Sequence, residues 1–323
     1  MSTPFILKKG VSRLVDLADG AVASLPFVGT QIWCDPVNGS DGNDGTAPDR
    51  AYATFAPAYA ALTANKNDVL FIIGGATALN PSTAITWSKS YTHLIGLTGN
   101  LPGMGQRARI VNTSGNDLAV LFTLSGNGCI VKNVQFFDGK DSAADGACVL
   151  VSGSRNYFEN VFIAGMGDAT ASGPFSRAGS YSLKVSGAEN AFVDCTIGLD
   201  TIERTAANSE LIVSGIRNRF IHCDFRSYST TAGKFLVKID NSGGDLRDTI
   251  FDDCLFFNYT SNWATGITDA FSMPASGSTH YVILRGNCVL VGVGTGWAST
   301  VTHFYGAGPA PNAGYGIATT PTT

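Results

Sequence analysis

Phe192-Val193-Asp194-Cys195-Thr196-Ile197 is followed 28 residues later by Phe220-Ile221-His222-Cys223-Asp224-Phe225, and then by Phe251-Asp252-Asp253-Cys254-Leu255-Phe256. Two earlier copies read Val131-Lys132-Asn133-Val134-Gln135-Phe136 and Phe158-Glu159-Asn160-Val161-Phe162-Ile163. Each runs aromatic or aliphatic, any, polar, Cys or Val, any, Phe or Ile. Working outward, every copy is preceded by a short strand-like stretch closing on Ser-Gly, at Ser125, Ser152, Ser186, Ser214 and Ser242, with a sixth such pair at Ser276. Successive serines lie 27, 34, 28, 28 and 34 residues apart.

Within a unit the apolar residues alternate, as in a strand with one buried face, and Gly, Asn, Asp or Ser closes each run as turn chemistry. A unit of some thirty residues with two or three short strands and no helix cannot bury its own apolar face, so neighbours must stack. The expected fold is all-β: a single-stranded parallel β-helix, right-handed because parallel crossovers almost always are. Stacking places Val134, Val161, Cys195, Cys223 and Cys254 in one interior column, and Phe136, Ile163, Ile197, Phe225 and Phe256 in another. The seven cysteines, lacking CxxC pairs, then read as inert buried thiols that fill a narrow core.

Upstream, Ile32-Trp33-Cys34-Asp35-Pro36 leads into the turn-rich Asn38-Gly39-Ser40-Asp41-Gly42-Asn43-Asp44-Gly45-Thr46. A short Ala-rich helix capped near Thr54 and ending before Asn67-Asp68 follows, then the buried strand Val69-Leu70-Phe71-Ile72-Ile73 closing on Gly74-Gly75. This order over residues 32–75, continued by the rungs to about Leu290, resembles the pectate-lyase-like right-handed β-helix superfamily, which includes lyases, hydrolases, phage tailspikes and inert virion proteins. The resemblance implies a helix covering the N-terminal end of the coil and, for phage members, a homotrimer. The chain accordingly divides into an N-terminal arm (1–31), an opening strand, turn and capping helix (32–67), the parallel β-helix (68–305) and a flexible C-terminal tail (306–323).

Charged residues make up 14% of the chain and the formal net charge is −4. No basic cluster exceeds Lys8-Lys9, which excludes a phosphate-backbone reader, so no nucleic-acid partner is expected. No apolar stretch suits a secretory signal or a membrane span. Synthesis in a host cytoplasm, with no membrane partner, is the expectation.

Chemistry in such a coil needs two carboxylates at a defined separation, or an Asp cluster with a cation and an Arg or Lys base. If the chain were an enzyme, the candidates are Asp194, Asp224, Asp252, Asp253 and His222. The column Asn133, Asn160, Asp194, His222 and Asp253 stacks on consecutive rungs, and its plainer reading is a polar ladder at a turn. Asp41-Gly42-Asn43-Asp44-Gly45 resembles the start of a calcium loop, but Gly45 and Tyr52 stand where ligands belong, so a turn is expected. His93, His280 and His303 lack ligand spacing. No metal and no cofactor are expected. Tyr228, Tyr259 and Trp263, read as exposed in rung insertions, are candidates for contact with a glycan or another subunit, and Leu14, Val15 and Leu17 for docking of the arm. The resulting expectation is a non-enzymatic bacteriophage virion protein, a head-decorating or capsid-stabilising subunit bound to the major capsid protein or another virion protein. The alternative is a polysaccharide-binding or depolymerising enzyme of tailspike or pectate-lyase type.

Overall fold

The computed structural model describes residues 29–98, 107–112, 118–139, 147–166, 177–240, 247–260, 266–274, 280–299 and 303–306. Leu14, Val15, Leu17 and Trp263 lie outside them, as do Ser242 and Ser276 of the repeat.

Among the described residues the strands form three parallel sheets, and the chain visits them in the cyclic order A, B, C on nearly every turn of the coil. Sheet A holds ten strands, from Gln31–Cys34 to Phe304–Gly306; sheet B seven, from Ala108–Asn112 to Val289–Val291; sheet C eight, from Ile85–Trp87 to Val293–Ala298. The hexapeptide repeat is the A-to-B corner. Phe158, Phe192, Phe220 and Phe251 pair in register in sheet A, and Phe136, Ile163, Ile197, Phe225 and Phe256 in sheet B. All nine side chains are fully buried. The four sheet-A phenylalanines stack at centroid spacings of 4.5, 4.8 and 5.0 Å with rings within 13° of parallel, the separation that in-register parallel strands impose.

The cysteines behave as small hydrophobes. Cys195, Cys223, Cys254 and Cys288 follow one another on successive rungs, all seven thiols are buried and free, and each of these four donates its S–H to nearby carbonyls. Burial pushes the Cys34 thiol up to about 12.

Helix α1 (Phe55–Ala60) covers the N-terminal end of the core, inserting Phe55 and Ala58, with Leu62 just beyond. Thr54 stands at its N-cap but makes no side-chain cap bond; its hydroxyl donates instead to Asp41 at 2.8 Å. Asp41 also accepts the amides of Ala53 and Thr54. The Asp41–Gly45 stretch is thus a turn that pins α1. None of the described helices is long and apolar enough to cross a membrane.

Candidate functional site

The polar column lies at the A-to-B corner. Asn133, Asn160, Asp194, His222 and Asp253 all have φ between 50° and 56°. This left-handed conformation is what lets the chain leave sheet A and enter sheet B one or two residues later. Asn, Asp and His tolerate it better than most residues, so backbone geometry accounts for the residue types in the column. Their backbone amides continue the ladder to the next rung, as from His222 to the Asp252 carbonyl at 2.8 Å.

The side chains then pair along the column. Asn160 Nδ2 donates to Asn133 Oδ1 at 2.8 Å. His222 lies between two carboxylates, Nδ1 3.5 Å from Asp194 and Nε2 3.8 Å from Asp253. Asp253 Oδ1 accepts the Asn287 amide at 2.6 Å. The remaining candidate acids are held by arginines: Asp252 by Arg285 at 2.7 Å, and Asp224 by Arg226 at 3.0 Å, with Asp200 on the same guanidinium at 3.1 Å. Among the described residues no three His, Cys, Asp or Glu side chains converge to hold a metal ion.

Tyr228 and Tyr259 end strands of sheet B, where sequence reasoning had placed them in insertions; their rings meet edge to face at 5.0 Å. Tyr259 is 45% exposed, whereas Tyr228 is largely covered. A second outward pair, Tyr281 and Tyr305, stacks at 5.9 Å on the last two rungs of sheet A. Tyr281 pairs in register with Asp248, which lines a 430 Å³ cleft together with Glu189, Asn190, Ala191, Arg217 and Arg219. A larger cleft of 560 Å³ lies beside α1, between Thr54–Tyr59 and Ala78–Thr86. Neither cleft includes any of the five candidate catalytic residues.

Two polar systems escaped the sequence reading. Asn156, Asn190 and Asn218 form a buried ladder: each Nδ2 reaches back to the carbonyl of Gly126, Gly153 or Gly187 at 3.0–3.1 Å, and each Oδ1 accepts an amide of the preceding rung at 2.8–2.9 Å. The signal was present as Ser-Gly-x-x-Asn in three consecutive units. The second is a fully buried charge cluster in which Glu210 binds Arg204 at 3.0 Å, Lys234 at 2.9 Å and the Ser182 hydroxyl. Burial alone would raise the Glu210 carboxyl, but Arg204 and Lys234 hold it down to about 2; burial lowers Lys234 to about 8.

No family model matches the chain, and no curated protein matches it by sequence. Solved structures do. Pectin methylesterase PemA from Erwinia chrysanthemi superposes with a TM-score of 0.54 at 15% identity, covering 88% of this chain and 84% of its own. A pectin methylesterase in complex with a hexasaccharide gives 0.50 at 16% identity, over 86% and 83%. The ORF18 protein of Geobacillus virus E2 gives 0.42 at 12% identity, over 85% of this chain and 59% of its own. The likeness to the two pectin methylesterases is one of fold: the chain is a right-handed parallel β-helix.

Proposed function

We propose that this chain is a non-enzymatic structural subunit of a bacteriophage particle, decorating or stabilising the head as an oligomer bound to the shell protein. The observation that supports the non-enzymatic reading is how the candidate acids are used. Asp224 and Asp252 are neutralised by arginines, Asp253 caps the Asn287 amide, and Asp194, His222 and Asp253 follow one another along a corner instead of converging on a cleft. A general acid or base needs a carboxyl poised over a substrate pocket, and these are engaged instead by arginines, a backbone amide and His222. The assignment to a particle rests on the resemblance found in the sequence and on a charge-poor, glycine-rich coil suited to lateral packing. Quantitative mass spectrometry of purified particles tests it: hundreds of copies per particle support decoration, and a handful of copies sinks it.

The outward Tyr281–Tyr305 pair beside the arginine-lined cleft favours a second reading, a polysaccharide-binding or depolymerising spike. In that case Tyr281→Ala weakens binding to the host glycan, and Asp224→Ala or Asp253→Ala abolishes cleavage while the fold is kept. Unchanged glycan binding and turnover in all three variants would dismiss it.

A further inference from the structure

His93 opens the third strand of sheet A, His93–Leu97, and sits at the junction between the capped rungs and the repetitive coil. The residue is 7% exposed, and its ring bridges three segments. Nε2 lies 3.3 Å from Asn67 Oδ1 in the turn before the second strand, and Nδ1 accepts the amide of Ile130, the first residue of the next rung, at 3.1 Å. One tautomer satisfies both contacts: neutral imidazole with its proton on Nε2. The lone pair that a second proton would take is the one already holding the Ile130 amide.

We propose that His93 is an acid-sensitive latch: protonation at Nδ1 replaces the acceptor for the Ile130 amide with a donor, and the junction between the capped rungs and the coil loosens. The surroundings do not compensate the added charge. From the preceding turn Asp68 faces the ring, but it is itself buried and already accepts the amides of Thr30 at 2.7 Å and Thr63 at 2.6 Å. Lys89, whose ammonium caps the carbonyls of Tyr59, Ala60 and Leu62, also lies within the field of Asp68. The following rung presents uncharged Ile130 to Nδ1, and Lys132, two residues further along that strand, is paired with Glu159 at 2.6 Å. Burial outweighs Asp68 and lowers the His93 pKa to about 4. The closed junction therefore excludes the proton, and opening is favoured progressively as pH falls from 6.5 towards 4.

The test is hydrogen exchange of the full chain at several pH values, corrected for intrinsic rates, comparing wild type with His93→Asn, whose carboxamide oxygen keeps an acceptor that does not titrate. In the wild type, protection of residues 128–133 falls at least tenfold further than that of residues 211–213 between pH 6.5 and 4.5; in His93→Asn this excess loss is absent. An equal loss in the variant, or no loss in the wild type, overturns the proposal. Should the variant not fold, NMR titration of the wild-type ring decides: a His93 that protonates while the Ile130 amide stays protected also overturns it.

Discussion

A methyl group at Gly187 would fall inside the carbonyl oxygen of Gly153, as one at Gly153 would at Gly126 and one at Gly215 at Gly187. These are the glycines of the Ser-Gly repeat, and their conservation of size within the chain comes from rung-to-rung backbone contact, not from φ. Gly187→Ala is expected to lower stability by about 3 kcal/mol or more, since a rigid backbone must move to admit it. Gly42→Ala, with nothing closer than Ser40 Oγ at 3.7 Å, is expected to shift stability by less than about 1 kcal/mol. Chemical denaturation of the two variants checks both. The repeat itself was legible in the sequence, but the reason for its glycine became visible only with the rungs in place. The polar column at Asn133 to Asp253 is a similar case: the residues were found by spacing, while the cause is a left-handed turn that a linear pattern does not display.

At the level of the rung, the asparagine ladder joins consecutive turns where the chain enters sheet A. Asn190→Ala removes the bond to the Gly153 carbonyl and the acceptor of the Asn156 amide, leaving both buried groups unpaired, at an expected cost of about 2–4 kcal/mol by denaturation. The buried charge cluster joins irregular segments to a strand. Glu210 comes from Ser209–Val213, while Arg204 and Lys234 come from connections between sheets B and C, so no period links the three and the sequence could not bring them together. Glu210→Gln leaves two buried cations without their carboxylate and is expected to cost roughly 3–5 kcal/mol. Because the Glu210 carboxyl is held at about 2 in the fold, below the usual 4.5, its contribution is complete above pH 4.5 and disappears as pH falls through 2. The variant should lose that part of the acid dependence, measurable as a smaller change in unfolding midpoint across this window.

For the molecule as a whole, two buried histidines at opposite ends of the coil set the response to milder acid. Burial lowers both His93 and His280 to about 4 from an ordinary 6.5. The unfolded chain binds these protons first, so stability is full above pH 6.5 and declines towards pH 4, by roughly 3 kcal/mol for each histidine at 1.36 kcal/mol per pKa unit. Unfolding midpoints measured at pH 7 and pH 4.5 check this, and a flat profile would contradict the buried neutral rings. Architecture was the part most legible in the sequence, because stacking repeats one pattern of burial. The outward surface was not, since Tyr281 and Tyr305 meet only through the coil's own pitch and stand 24 positions apart along the chain. The connection at residues 200–208 runs from sheet B to sheet C, and the halves of the chain on either side of it remain bound through all three sheets. A protease that nicks this connection would therefore yield two bands under denaturing conditions and one undivided particle in native gel filtration, the severed pieces being clasped by every neighbouring rung.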